Sequence, residues 1–150
     1  MRLLIQRVTY ARLSIDENLY SSMQKGLLVF VGIEEADTPD DAEYLASKMV
    51  NLRIFEDDTG KMNLSVKDIA AEVMIVSQFT LHASTRKGNR PSFIAAAKPE
   101  KAMALYNHFI TASETLFGNK VQTGVFGANM QIELVNSGPV TIFMDSKTKE

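Results

Sequence analysis

The 150-residue chain carries 45% apolar and 23% charged residues, no cysteine, and 16 basic against 18 acidic side chains, for a formal net charge of −2. These values exclude a globally basic nucleic-acid coat, thiolate catalysis, zinc–thiolate and iron–sulfur sites and any disulfide framework. With only His82 and His108 present, a poly-histidine metal centre is excluded too, and the length fits one domain, residues 1–150.

No apolar run approaches the roughly 20 residues of a membrane-spanning helix. The stretch Met1 to Arg12 is interrupted by Arg2, Gln6, Arg7 and Arg12, too polar for a signal-peptide core, so a soluble cytoplasmic protein is expected. Alternating polarity in Arg2 to Val8 and again in Ala11 to Ile15 predicts two strands, and Asp16-Glu17-Asn18 a turn into a short segment around Leu19-Tyr20. Gly26 to Ile33 is a continuous apolar run bounded by glycines, the pattern of a central strand buried on both faces. Thr38-Pro39-Asp40-Asp41 predicts a helix start, with Thr38 as N-cap, Pro39 at the first helical position and acidic residues favoured by the helix dipole. Ala42, Leu45, Ala46, Met49 and Leu52 follow at helical spacing. The acidic residues Glu34, Glu35, Asp37, Asp40, Asp41 and Glu43 are read as a solvated helix entry rather than a cation site.

Asp57-Asp58-Thr59-Gly60-Lys61 is a turn that only faintly resembles the opening of a calcium loop, lacking the later glutamate ligand. The alternation from Glu72 to Leu81 predicts a strand on which Gln78 and Thr80 point the same way. From His82 to Lys101 the basic residues Arg86, Lys87, Arg90, Lys98 and Lys101 are opposed only by Glu100, and Gly88 and Pro91 mark an irregular loop. That loop is either simply solvated or a phosphate-facing patch on a slightly acidic protein. Pro99 to Phe117 predicts the second helix, with an apolar stripe of Ala102, Met103, Tyr106, Phe109, Ile110 and Leu116 and Gly118 just past its end. Strands are expected at Lys120 to Thr123, Met130 to Val135 and Val140 to Asp145, the last two separated by the turn Asn136-Ser137-Gly138-Pro139, with Ser146 to Glu150 a frayed tail. The order predicts a single α/β domain with two main helices on a curved, barrel-like β-sheet.

Standard catalytic constellations are mostly missing: there is no Walker loop, dinucleotide fingerprint, nucleophile elbow or zinc-binding histidine pair, and a Ser-His-Asp triad stays open only because its members need not be close in sequence. No cofactor and no metal are expected. What remains are two polar turns at the ends of apolar strands, Ser77-Gln78-Phe79-Thr80-Leu81 and Asn136-Ser137-Gly138-Pro139-Val140-Thr141.

Those turns belong to a longer series. Together with Ile5-Gln6-Arg7-Val8, Lys25 to Val29, Asn51 to Asp57, Gly60 to Ser65, Arg90-Pro91-Ser92-Phe93 and Thr123 to Met130, in this order, the chain resembles the D-aminoacyl-tRNA deacylase family along nearly its whole length. The resemblance implies a homodimer that hydrolyses the ester joining a D-amino acid to the 3′ end of tRNA. It makes Ser77, Gln78, Phe79 and Thr80 the catalytic turn. Asn136, Gly138, Pro139, Val140 and Thr141 become a substrate-binding motif that reaches into the partner's pocket with a cis Gly138-Pro139 bond, held in place by Arg7. The first hairpin, around Thr9 to Gln24, is unusual for that family, and Ser137 stands where aspartate or alanine is common.

A mechanism consistent with these residues rejects the L substrate by a clash with main-chain atoms, which leaves D side chains unread. Backbone amides near Phe79 and Thr80 would stabilise the oxyanion. A threonine hydroxyl is a weak nucleophile without an adjacent base, so Thr80 is assigned a positioning role, with water attacking and the terminal 2′-OH assisting as the family implies. Arg86, Lys87 and Arg90 would meet acceptor-stem phosphates, and a pocket near Met130 would take the terminal adenine. The competing readings are a non-catalytic RNA-binding module and a small-molecule esterase.

Overall fold

In the computed structural model, which describes residues 1–149, strand β1 (Arg2–Ile15) is the axle of the sheet. One edge of it pairs antiparallel with β8 (Met130–Asp145) from Ile15↔Met130 to Arg2↔Asp145. The other edge is shared: residues 2–8 pair with β3 (Gly26–Gly32) and residues 11–15 with β2 (Asn18–Met23). β3 pairs in parallel with β6 (Glu72–Ser77), and β6 with the short β7 (Gln122–Thr123). Sheet twist then brings β2 round to β7, where the Ser21 hydroxyl donates to the Thr123 carbonyl at 2.9 Å and nearly closes a barrel. β4 (Phe55–Glu56) and β5 (Met62–Leu64) form a separate ribbon. This is the curved α/β architecture expected from the sequence.

Two hydrophobic layers hold the sheet. Leu3, Ile5, Leu27, Val29, Val31, Val73 and Ile75 face the helices α1 (Pro39–Val50) and α2 (Pro99–Phe117), whereas Val8, Ala11, Leu13, Leu28, Met74 and Val76 fill the barrel interior. β3 feeds both layers through alternate residues, which is why its sequence reads as an unbroken apolar run. Asp16 and Glu17 close the β1–β2 hairpin with φ of 49° and 64°, the left-handed pair that matches strand twist. The acidic helix entry is internally committed. Thr38 caps α1, and the Asp41 carboxylate accepts from the Thr38 amide at 2.9 Å and from Lys147 at 2.7 Å. Asp37 accepts from the Glu34 amide at 2.8 Å and Glu35 from the Lys98 amide at 3.2 Å. The Asp57 carboxylate is likewise spent on the Thr59 amide and hydroxyl and the Lys61 amide. Among the described residues no helix is long and apolar enough to cross a membrane, and no group of three or more His, Cys, Asp or Glu side chains comes together to hold a metal ion.

Several sequence expectations are corrected. β1 is one strand, not two: core-facing residues switch from odd (Leu3, Ile5) to even (Val8) and back to odd (Ala11, Leu13), and the register shifts at Gln6/Val8 and Val8/Tyr10 produce this switch. β8 is also continuous. Gln6 pairs with Thr141 and Val8 with Asn136, so residues 137–140 stand out as a large bulge opposite the single residue Arg7. β6 stops at Ser77, and residues 79–82 form a 3-10 helix in place of the predicted strand end. On α2 the buried residues are Ala102, Leu105, Tyr106, Phe109 and Ser113, while Met103 and Leu116 of the expected stripe are exposed. Ser146 is buried, and its amide donates to the Met1 carbonyl at 2.9 Å, so the tail is tied down at its start. Glu150, also placed in that tail, lies outside the described residues.

Candidate active site

The chain leaves the sheet at Ser77, opposite Val31 in the parallel ladder, and the next amide, Gln78, still donates to the Val31 carbonyl at 2.7 Å. The 3-10 helix Phe79–His82 then begins. Its first two amides, of Phe79 and Thr80, have no backbone carbonyl partner among the described residues, as expected for amides that open a helix. Leu81 and Ala83 donate back to Gln78 and Thr80 at 3.2 and 3.0 Å. Gln78 Nε2 donates to Thr80 Oγ1, so the sequence expectation that these two side chains share a direction holds despite the change from strand to helix. That bond leaves the Thr80 hydroxyl oriented by an amide, not by a base.

Ser77, Gln78 and Phe79 form one wall of a cleft of about 840 Å³, and Met130 forms part of another. Phe93, Phe126 and Lys98 also line it, with Phe93 meeting Phe79 edge-to-face at a centroid distance of 5.1 Å. Among the described residues no histidine, aspartate or glutamate faces this cleft, and Lys98 is its only ionisable lining residue. Phe93 and Phe126 had no assigned role in the sequence reading, and Lys98 had only a place in the basic stretch. Two of them lie inside the segments Arg90 to Phe93 and Thr123 to Met130 that carried the family resemblance. Pattern position alone could flag those segments, but only the fold brings them opposite Phe79.

The second motif lies apart from this cleft, since none of residues 136–141 lines it. The Gly138-Pro139 peptide is cis, and both residues are exposed. Arg7, only 8% exposed, braces the bulge from beneath: Nε donates to the Ser137 carbonyl at 3.2 Å and Nη1 to the Ile54 carbonyl at 2.6 Å. Asn136 closes the base of the bulge by donating to the Arg7 and Val140 carbonyls at 3.1 and 2.9 Å. Gly138 has a φ of +122°, and a Cβ there would sit 2.7 Å from Arg7 Nη2. Val140 and Thr141 follow as the bulge rejoins the ladder at Gln6↔Thr141.

Arg86, Lys87 and Arg90 are all exposed on the loop closed by the Ser84↔Ser92 bridge, and none lines the cleft. The two histidines sit in contrasting places. His108 pairs with Glu43 on the helical surface at 3.1 Å, while His82 is 3% exposed, with Nε2 buried and without a partner among the described residues.

A family profile described as D-Tyr-tRNA(Tyr) deacylase matches residues 4–145. Proteins named D-aminoacyl-tRNA deacylase from Flavobacterium psychrophilum and Bacteroides thetaiotaomicron are 57% and 51% identical to the chain, each covering 100% of both sequences. Among solved structures, one titled c-Myc DNA Unwinding Element Binding Protein superposes with a TM-score of 0.92 at 38% identity, covering 97% of this chain and 98% of that one. A second, described as a probable eukaryotic D-amino acid tRNA deacylase, gives 0.83 at 16% identity over 95% and 97% of the two chains, a likeness of fold.

Proposed function

The chain belongs to the D-Tyr-tRNA(Tyr) deacylase family, and from that premise we propose that it hydrolyses the ester of D-aminoacyl-tRNA, releasing tRNA and the free D-amino acid. The observation that carries this reading is the composition of the cleft. A site with no lining carboxylate or imidazole among the described residues, but with Ser77, Gln78 and Phe79 at its wall and the Phe79 and Thr80 amides without a backbone partner where the turn begins, suits acyl transfer in which backbone donors stabilise the oxyanion. The substrate itself supplies what the side chains lack. Water attacks the ester carbonyl, the terminal 2′-OH of the tRNA assists the proton transfer, and the C–O bond to the ribose breaks, leaving a carboxylate and a free hydroxyl. Thr80, held by Gln78, orients the turn and is not the nucleophile. The apolar side near Met130, Phe93 and Phe126 takes the terminal adenine by stacking and burial. Arg86, Lys87 and Arg90 contact the acceptor-stem phosphates.

Chirality is read by main-chain atoms of the Gly138-Pro139 bulge, with Asn136, Val140, Thr141 and Arg7 fixing its shape. Gly138 and Pro139 are exposed and the bulge does not line its own cleft, which supports a homodimer in which each protomer inserts it into the partner's pocket. β8 supports the same arrangement. Among the described residues its only strand partner is β1, and its exposed Val135 and Phe143 (43% and 55%) are apolar, features that an unpaired edge strand normally avoids. The reaction serves translation in the cytoplasm as a chiral proofreading step.

The test compares release of D-tyrosine and L-tyrosine from matched charged tRNAs, with a free aminoacyl ester as control and chelator present throughout. D-selective release from tRNA alone supports the proposal. Equal release of both enantiomers, or hydrolysis of the free ester at the same rate, overturns it in favour of a general esterase, and binding without release marks an RNA-binding module.

A further inference from the structure

The catalytic turn leaves the sheet after a single ladder bond, from the Gln78 amide to the Val31 carbonyl, so something else must hold its far end. Two contacts do so, and a third aims one of them. The turn rests directly on Gly32: a Cβ built on that glycine would fall 2.8 Å from Leu81 Cβ and 3.1 Å from the Gln78 carbonyl oxygen, an approach open only to glycine. The Leu81 carbonyl is one of the acceptors that a helix end leaves without an intrahelical donor, and it accepts from Arg2 Nη1 at 2.9 Å. Arg2 is itself aimed, because its Nε donates to Asp145 Oδ2 at 2.9 Å. The other Asp145 oxygen is occupied by the Lys147 amide at 2.9 Å, leaving the carboxylate little freedom to turn away. Arg2 is the β1 residue that stands opposite both Gly32 and Asp145, so one guanidinium ties β1 and β8 to the exit of the turn, beside the β3 glycine on which the turn rests.

We infer that Arg2, aimed by Asp145, is a positioning residue for the deacylation site: by holding the Leu81 carbonyl it fixes the orientation of the turn that presents the Phe79 and Thr80 amides. This rests on the reading of Ser77–Thr80 as the reacting turn. The chemistry there depends on donors placed to within about half an ångström. Affinity for tRNA, by contrast, is spread over phosphate contacts elsewhere. Loosening the exit of the turn should therefore reduce turnover without weakening substrate capture. Asp145 contributes through Arg2. Burial would raise its carboxyl pKa, but the Lys147 amide and the Arg2 guanidinium hold it below the usual range, so it stays an acceptor at neutral pH.

The experiment measures kcat and KM on D-tyrosyl-tRNA for Arg2→Met, Arg2→Lys, Asp145→Asn and the Arg2→Met/Asp145→Asn double variant, together with amide hydrogen exchange. Arg2→Met should lower kcat by about 10- to 100-fold while KM stays within about twofold, the size expected for a small displacement of oxyanion donors. Arg2→Lys, which can reach only one of the two acceptors, should recover part of that loss. The double variant should be no slower than Arg2→Met alone. Exchange should rise in residues 78–83 and stay unchanged in the β3 ladder. An unchanged kcat, additive losses in the double variant, or faster exchange throughout the sheet overturns the inference. If Arg2→Met does not fold, Arg2→Lys and Asp145→Asn decide the matter by the same kcat-against-KM split. Phe79→Pro, which deletes one of the presented amides at a first helical position where proline is tolerated, separates the two levels when run in parallel: loss with Phe79→Pro but not with the Arg2 variants removes only the clamp. Full activity in both removes the assignment of the turn.

Discussion

Replacing Gly138 by alanine probes the bulge that we hold responsible for chirality. The backbone there has a φ of +122°, and the new methyl would lie 2.7 Å from Arg7 Nη2 and 2.9 Å from Val140 Cγ2. An L residue held in such a conformation costs about 1–3 kcal/mol. The guanidinium must also retreat, and the longer of its two carbonyl bonds, to Ser137 at 3.2 Å, is the one it gives up. A hydrogen bond from a charged group is worth about 1.5–3 kcal/mol, so the total is about 2.5–6 kcal/mol when the bulge keeps its shape. At roughly 2–4 °C per kcal/mol for a chain of this size, the melting temperature falls by about 5 °C or more. Gly60→Ala is the control. It too sits at positive φ, +77°, but nothing lies within 4 Å of its Cβ, so it should cost only about 1 kcal/mol. Differential scanning calorimetry on both variants, with the D/L ratio of kcat/KM, checks the argument. Gly138→Ala should melt well below Gly60→Ala and lose enantiomer discrimination; equal melting temperatures with discrimination intact would refute it.

Thr80→Val should keep most of the deacylation rate, because its hydroxyl is positioned by Gln78 and no base adjoins it; single-turnover kinetics that fall to background with tRNA binding intact would restore the nucleophile reading. Changing Arg86, Lys87 and Arg90 together to glutamine should weaken tRNA binding and flatten its dependence on log salt by about 0.7–0.9 for each phosphate no longer neutralised, while an unchanged slope in filter binding places the tRNA elsewhere. Acid denaturation tests the entry of α1. Burial would raise the Asp41 carboxyl pKa, but hydrogen bonds from Lys147, Ser146 and Thr38 outweigh it and hold the group well below its usual 3.8. A lowered folded pKa means stability that is fully present above the ordinary carboxylate range and lost as pH falls below it. Asp41→Asn should therefore cost stability at pH 7 and clearly less at pH 2, and urea midpoints displaced equally at both would contradict the assignment.

Much of the fold was legible because local and tertiary demands agree. α1 announces itself through Thr38, Pro39 and two acidic residues, and α2 ends at Gly118 with φ +79°. The failures occur where one pattern serves two environments. Alternation breaks between Ile5 and Val8, where β1 moves its buried side from the helical layer to the barrel interior, and again between Val8 and Ala11 at the second register shift, and a break in parity looks like a break in the strand. At Gln78 to Leu81 the reverse holds. The alternation runs on, but the parallel ladder ends at Ser77 and the chain bends into a 3-10 helix seated on Gly32.

The site divides along the same line. Ser77 to Thr80 stood out because polar side chains interrupt an apolar strand, and Gly138-Pro139 because a turn signal interrupts another. Phe93, Phe126 and Lys98 were invisible as a set, since their common cleft exists only once α2 and the β7–β8 connection have closed over Phe79. Arg2 was read only as a charge that breaks an apolar start, whereas its guanidinium reaches Leu81, 79 positions away in the chain. The scarcity of catalytic side chains follows from the same geometry. A turn held at Val31, Gly32 and Arg2 can offer its amides as fixed donors. A bulge held at Arg7 and Asn136 can offer its carbonyls as a fixed wall. Rigid backbone of this kind needs support from residues outside the reacting turn, and here that support comes from the charged side chains of Arg2, Asp145 and Arg7 and the amide of Asn136.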